Sequence, residues 1–329
     1  MSIVDPKIVF LAETFLLLTI LFFGRNLLKK RIVGLFSHEK IPPFYIWGFR
    51  LLLGIFLLEK LFVFYNEPTL LPRPVLFYRF DTIFELFFHS DYRFIILIIT
   101  PLIFVTLFVF ERKPRLASTF VFLYSVIVGS AQVTMFDTMP HDFHLTTLLL
   151  LGFALYYWFW YKPDRAWPQE KNKVSNEWIL LPISLFFITT IYGASFFSKI
   201  SQLSEMTKWF SGEAIQSVII RGHFKRAATF GYEMNEIEPV PKFIVENKAI
   251  ASFLGIGAIL SLFSSFFLLI VSSRLRLIIL ISFLLFNILA AKLFLLYPFT
   301  GDIITLVYII IWAAYSVFAG YSSREQKKY

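Results

Sequence analysis

The chain of 329 residues contains no cysteine. Disulfides, thiolate metal sites and thiol redox chemistry are therefore excluded. Charged residues are also scarce, at 16% of the chain. The sequence has no Gly-rich phosphate loop, no His-Glu-x-x-His pair and no Gly-x-Ser-x-Gly elbow. Nucleotide hydrolysis, zinc proteolysis and serine hydrolysis thus have no support, and we predict no metal site.

Apolar and aromatic residues are abundant instead. The chain is 57% hydrophobic and 19% aromatic, and its mean hydropathy is +0.70. Such a chain carries far more apolar surface than one water-soluble core can bury, which indicates an all-α polytopic membrane protein whose main partner is the lipid bilayer. The net charge is +9, but the basic residues fall in short clusters between apolar runs. That placement encodes orientation in a membrane, and we expect no nucleic-acid partner.

Apolar runs of about 17–22 residues recur along the chain, and each is long enough to cross a bilayer as a helix. They predict a transmembrane helical bundle of about nine spans. The runs cover residues 8–24, 44–65, 94–110, 116–135, 145–161, 178–198, 250–271, 275–296 and 303–320.

Every second connection between these runs carries lysine or arginine. Of the remaining connections, two (136–144 and 298–302) carry neither, and the two longer ones mix acidic with basic residues. Because lysine and arginine are retained on the cytoplasmic side, the pattern predicts an outside N-terminus and an inside C-terminus in the plasma (inner) membrane of a bacterium. We divide the chain into an extra N-terminal helix with a basic inside loop (1–40), a multi-pass membrane domain (41–320) and a basic inside tail (321–329). The inside connections are residues 25–40, 111–115, 162–173, 272–276 and 324–328.

Two outside connections are too long to be simple turns. Residues 66–93 include a phenylalanine-rich segment at 80–88, which predicts an interfacial helix. Residues 199–249 begin with an amphipathic segment at 204–220, also predicted as a helix, and continue as a polar stretch predicted as a loop.

Lys199 is the strongest candidate for a functional residue, because it lies where the run 178–198 reaches the outer membrane surface. An ionisable side chain within or at the edge of a membrane span costs free energy, and such side chains often have a function. A simpler alternative is a lysine that anchors the helix end by extending into the headgroups. Other candidate residues near the same side are Tyr192, His141, His144 and Trp209, and Asn287 lies in the middle of the run 275–296.

Each of these residues also has a structural alternative. Asn287 suits an interhelical hydrogen bond and Trp209 an interfacial anchor. His141 and His144 are too few to hold a metal ion by themselves. Arg50 and Glu59 lie about 13.5 Å apart along one helix, so each needs partners on neighbouring helices, which predicts structural supports. The alternatives are a Glu59–Lys60 pair and an Arg50 that satisfies helix carbonyl groups.

A set of short motifs resembles the HTTM family, the membrane domain shared with vitamin K-dependent gamma-glutamyl carboxylase. The resemblance covers about residues 41–320 and rests on order, spacing and sidedness. Asn287 stands at what looks like a family histidine, and Phe196 replaces a glycine. The matching residues are Phe49 to Gly54 with Glu59, then His141, Tyr192, Lys199-Ile200 and Trp209-Phe210-Ser211-Gly212.

The resemblance implies that Lys199 is the base that starts hydroquinone oxygenation, with His141 as a supporting donor. A lysine in an apolar pocket suits that role, because desolvation favours its neutral form. It further implies a reduced quinone as cofactor and a secreted peptide or protein as partner. The residues that would bind substrate or support the site are Tyr192, His144, Trp209, Gly212, Arg50, Glu59 and Asn287.

The expected function is therefore action on a quinol or on a secreted peptide or protein at the outer membrane face. An enzyme of this kind would be a carboxylase-like or quinol-dependent lyase or oxidoreductase with a lysine base. Two alternatives stay open. One is a non-catalytic membrane factor for maturation, export or immunity of a secreted peptide, and the other is a small-molecule carrier.

Overall fold

The computed structural model describes residues 36, 43–66, 91–135, 144–161, 176–201, 203–230, 239–294 and 300–325, and every regular element within them is a helix. The chain forms two compact units. Unit I comprises residues 40–187 and 298–312, and unit II comprises residues 1–39, 188–297 and 313–329. The all-α prediction is confirmed for the described part of the chain.

Unit I packs its helices around an aromatic core. Phe49 stacks on Tyr308 with ring centroids 5.0 Å apart, and Phe153 contacts both Phe49 and Phe108. Tyr45 and Tyr308 hydrogen-bond through their hydroxyl groups to each other's backbone carbonyls. The helices are α1 (Pro43–Asn66), a π-helical turn (Ile95–Ile99) leading into α2 (Thr100–Val109), α3 (Pro114–Met135), α4 (His144–Phe159), and the nearer parts of α5 (Leu180–Ile200) and α11 (Thr300–Glu325).

Unit II contains the rest of α5 and α11 with five further helices. These are α6 (Leu203–Phe210), α7 (Glu213–Phe230), α8 (Pro239–Glu246), α9 (Lys248–Ser264) and α10 (Ser273–Phe294). An apolar cluster from α7 to α10 packs them together, and its buried members are Ile215, Ile219, Ile244, Ala251 and Ala290.

Local chemistry sets the ends of several helices. Pro114 and Pro239 open α3 and α8, where the missing N–H of proline has no cost. Asn247 caps α9 by accepting a hydrogen bond from the N–H of Ile250 at 3.3 Å. Gly212 follows α6 with a φ of +82°, a left-handed conformation that glycine adopts without steric cost.

A buried arginine closes the turn between α9 and α10. Arg276 is fully buried, and its guanidinium donates to the carbonyls of Leu268 at 3.1 Å and Val271 at 3.3 Å. The same group lies over the ring of Phe36 at 3.9 Å. The residues predicted as a basic inside connection (272–276) therefore contain one cation that stabilises the turn itself.

Three helices in the described part of the chain are long and apolar enough to cross a membrane. They cover Leu180–Ile200, Lys248–Phe267 and Ser273–Ala290, with mean hydropathies of 1.8 to 2.0. Shorter apolar helices cover Ile95–Val109, Pro114–Ile127, Leu145–Phe159 and Ile303–Tyr315. These helices are compatible with a membrane protein.

Each apolar run from residue 44 onward coincides with a helix, and most ends agree to within two residues. The exceptions are α9, which ends at Ser264 while the run continues to residue 271, and α11, which spans Thr300–Glu325 while the run covers 303–320. The segment 204–220, predicted as one helix, is two, because Gly212 breaks it between α6 and α7. The polar stretch after it was wrongly predicted as a loop, since α7 continues to Phe230 and α8 covers Pro239–Glu246. Several predicted features lie outside the described residues: the run 8–24, the interfacial helix 80–88, residues 162–173 and the end of the tail. The count of about nine spans stays a prediction.

Candidate functional site

Lys199 lies in the last turn of α5, and its side chain turns back along the helix. The ammonium nitrogen Nζ donates to Ser195 Oγ at 2.7 Å and to the Ser195 carbonyl at 3.3 Å. Ser195 is one turn nearer to the middle of α5. A lysine that anchored a helix end would extend past that end into the headgroups. Lys199 therefore does not have the geometry of a simple anchor.

Trp209 covers Lys199 from α6. Its ring centroid lies 5.2 Å from Nζ, within the range of a cation–π contact. Two glycines bring α6 close to α9. A Cβ on Gly212 would lie 2.5 Å from the backbone nitrogen of Ser252, and a Cβ on Gly255 would overlap the carbonyl oxygen of Trp209. Close approach of the two backbones therefore fixes the position of Trp209.

Tyr192 and Asn287 form the inner part of the site. The Asn287 amide donates to the Tyr192 hydroxyl and, at 2.8 Å, to the Phe283 carbonyl. The Tyr192 ring stacks on Phe283 with centroids 4.3 Å apart. Tyr192 precedes Ser195 by three residues and Lys199 by seven, so all three share one face of α5. A polar stripe thus runs along that face from the buried Tyr192–Asn287 pair to Lys199.

Phenylalanines pack beside this stripe. Phe196 contacts Phe263 and Phe266, with centroid distances of 5.4 and 5.9 Å. Gly193 leaves room for Phe266, since a Cβ there would lie 3.0 Å from its ring. Phe196 belongs to an aromatic cluster with Phe263 in α9 and Phe266 in the turn that follows α9. An aromatic cluster therefore packs against α5 at Phe196, three residues before Lys199.

Lys199 forms no ion pair with any acidic residue that the structure describes. The site can hold its amine in either protonation state. As an ammonium it is stabilised by the Trp209 face and by the two Ser195 oxygens, and as a neutral amine it needs no counter-charge. Across the described residues, no group of three or more histidine, aspartate or glutamate side chains could hold a metal ion.

Arg50 has a separate set of partners in unit I. Its Nη1 lies 3.2 Å from Glu111 Oε2 and donates to the Tyr157 hydroxyl at 2.6 Å. These partners belong to other elements than α1, as expected for a structural support. Glu59 differs from its prediction: its side chain is exposed, and among the described residues it has no ion pair. Its position on α1 directs it away from the core that buries Arg50.

The structure does not describe the side chains of the two candidate histidines. His141 lies outside the described residues, and His144 is described only as the first residue of α4. Sequence reasoning missed Ser195, Gly255, Glu111 and Tyr157. Only Ser195 had a recognisable pattern, because a serine four residues before a lysine on one helix face can accept from it.

Comparison with known proteins gives no match. No family model fits the chain, and neither the curated proteins nor the solved structures include one that is significantly similar.

Proposed function

We propose that this protein is a multi-pass membrane protein of about nine spans that resembles the HTTM membrane domain, with Lys199 as a proton-accepting base at the outer face. The N-terminus lies outside and the C-terminus inside the plasma membrane of a bacterium. Alternation of basic connections supports this orientation. Lys199 ends a helix that is long and apolar enough to span the bilayer.

The observation that carries the proposal is the direction of the Lys199 side chain. The amine is held by Ser195 on the inner side and covered by Trp209, without an acidic partner among the described residues. A base must accept a proton and remain stable afterwards. The indole face and the serine oxygens stabilise the ammonium that proton transfer would produce.

A quinol is the substrate class that this site suits best. The Trp209 face and the cluster of Phe196, Phe263 and Phe266 offer aromatic surfaces for a flat ring. In the proposed step, a quinol hydroxyl loses its proton to Nζ of Lys199, which leaves an oxyanion on the quinol and an ammonium on the lysine. We confine the reaction to this proton transfer.

A second candidate function is a non-catalytic membrane factor that binds a secreted peptide. Large apolar side chains are exposed on the two short helices of unit II, with Leu203 and Phe210 on α6 and Val240 and Phe243 on α8. Such side chains can contact a peptide or the lipid surface. A factor of this kind would depend on α8 and would tolerate the loss of the Lys199 amine.

Substitutions at Lys199 test the base directly. We expect purified wild-type protein to convert an anaerobically added naphthoquinol to its anion, seen as a change in the absorbance of the bound quinol. Lys199→Met and Lys199→Arg should both abolish that change, because methionine lacks an amine and arginine stays protonated near neutrality.

Lys208→Arg is the matched control, because Lys208 is exposed and paired with Glu205 at 2.8 Å. It should behave as wild type, and all variants should melt close to it. Quinol deprotonation by Lys199→Arg at the wild-type level would refute the base. The non-catalytic factor would be favoured by a different result in cells. In that case the double variant Val240→Ser/Phe243→Ser would lose the protein's biological function, and Lys199→Arg would keep it.

A further inference from the structure

A cleft of about 250 Å³ lies at the beginning of α3, in unit I. Its lining combines two cations with apolar and aromatic side chains: Lys113, Pro114, Arg115, Leu116 and Tyr161. The cleft belongs to a different unit from Lys199, and the proposed base does not use it.

The cations at this cleft are not neutralised by the acid beside them. Glu111 is paired with the buried Arg50 at 3.2 Å. Arg112 and Lys113 are exposed, and within the described residues neither forms an ion pair. The Arg115 Nε donates to the Tyr157 carbonyl at 3.1 Å, while its guanidinium lies 5.8 Å from the Trp158 ring. Arg115 is thus fixed through Nε and the Trp158 ring, and within the described residues its terminal nitrogens have no hydrogen-bond or ion-pair partner.

The turn that presents these cations has an unfavourable backbone. Glu111 and Lys113 have φ values of +56° and +45°, and each such conformation costs about 1–2 kcal/mol for a residue with a side chain. The turn is held by the Arg50–Glu111 ion pair and by a hydrogen bond from the Arg112 N–H to the Leu107 carbonyl at 2.8 Å. Strain of this kind persists where surrounding contacts enforce it and often marks a binding site.

Exposed aromatic residues place the cleft at the level of lipid headgroups. Trp158 and Phe159 end α4, and Trp160 follows them beside Tyr161; the three are 55%, 72% and 40% exposed. Tryptophan and tyrosine concentrate at the membrane–water interface. The N–H groups in the first turn of α3 also point towards the beginning of that helix, where the cleft lies, and they favour the binding of an anion in the cleft.

We propose that this cleft binds the phosphate of an anionic phospholipid headgroup, with Lys113 and Arg115 as its cationic ligands. Arginine and lysine recognise phosphate through charge-assisted hydrogen bonds. Residues 111–115 belong to an inside connection, and the inner leaflet is the one rich in anionic lipid. The proposal rests on the membrane placement stated above, and it is independent of the chemistry at Lys199.

The test is a lipid titration of the full-length protein in zwitterionic detergent, with thermal stabilisation by phosphatidylglycerol as the readout. We expect phosphatidylglycerol to raise the melting temperature and phosphatidylcholine to leave it unchanged. Replacing Lys113 and Arg115 together by glutamine should weaken the apparent affinity about 30-fold, or about fivefold for each cation.

Lys242→Gln is the matched control, because Lys242 is exposed on α8 in unit II. It removes one positive charge, as Lys113→Gln alone does, and should leave the affinity unchanged. Lys199→Arg should also retain the full effect of phosphatidylglycerol, so that failure of the base and failure of the lipid site are distinguishable. If the double variant does not fold, Lys113→Gln alone decides, since Lys113 is exposed and its replacement removes one of the two ligands.

Two results would overturn the proposal. One is an affinity for phosphatidylglycerol equal to that of the wild type in the double variant, or in Lys113→Gln if the double variant does not fold. The other is equal stabilisation by inorganic phosphate alone, which would show that the cleft binds a free anion and does not require the lipid.

Discussion

Lys199 and Arg50 are two cations that the protein removes from water in different ways. Arg50 has a carboxylate and a phenol as partners, with Glu111 at 3.2 Å and the Tyr157 hydroxyl at 2.6 Å. Lys199 has only neutral partners, the oxygens of Ser195 and the ring of Trp209. A paired arginine is suited to structural support, and an unpaired lysine is suited to proton transfer.

Removal of the Glu111 charge should destabilise the protein. We expect Glu111→Gln to cost about 2–3 kcal/mol, because Arg50 would remain buried without a counter-charge. The free energy of unfolding can be measured by denaturant titration in micelles. Glu59→Gln is the control: it removes the same charge from an exposed position on α1 and should change stability by less than about 0.5 kcal/mol.

The double variant Arg50→Leu/Glu111→Gln tests whether the two residues act as a pair. It should be more stable than the sum of the single effects implies, by about 1–2 kcal/mol, because the second substitution finds the interaction already lost. Strictly additive effects would contradict the pairing.

At the scale of elements, the position of Trp209 depends on how closely α6 approaches α9. Gly212 both ends α6 and lies against the backbone of Ala251 and Ser252. Gly255 leaves space for the Trp209 carbonyl. Gly212 thus both separates α6 from α7 and, together with Gly255, allows the close approach of α6 to α9 that places Trp209 over Lys199. Spacing along the sequence does not show this relation.

Gly212→Ala should destabilise unit II by at least about 2 kcal/mol, since alanine is disfavoured at positive φ and its Cβ would contact rigid backbone atoms. Gly257→Ala is the control within α9. Apart from the backbone of α9 itself, no atom of the described residues lies within 4 Å of its Cβ position, so alanine there should be neutral or should stabilise by up to about 1 kcal/mol. Melting curves of the two variants make the comparison, and equal stability would contradict the close packing of Gly212.

At the scale of the molecule, hydropathy predicts the helices well, because apolar runs and prolines act locally. The ends of α1 and α3 fall within two residues of the predicted runs. Contacts between distant residues were harder to predict. Glu111 resembles an ordinary loop acid in the sequence, and only the fold brings it to Arg50, 61 positions earlier.

The candidate site, like the fold, can be predicted from the sequence only where it depends on local features and not on contacts between distant residues. The place of Lys199 at the end of an apolar run singles it out, and Trp209 stands out because Trp209-Phe210-Ser211-Gly212 resembles a motif of the HTTM family. Their contact depends on Gly255, a residue that gave no sign of a role in the sequence. The Tyr192–Asn287 bond joins residues 95 positions apart. The expected contribution of His141 remains a prediction.

The most direct test of the account is the side of the membrane on which each end of these helices lies. The absence of native cysteine makes single-cysteine labelling simple. Ser201 is exposed two residues after Lys199, and Ser272 is exposed in the turn between α9 and α10. We predict that a membrane-impermeant maleimide labels Ser201→Cys in intact cells and labels Ser272→Cys only after permeabilisation. Labelling of Ser272→Cys in intact cells, with Ser201→Cys protected, would contradict an outward-facing Lys199 site.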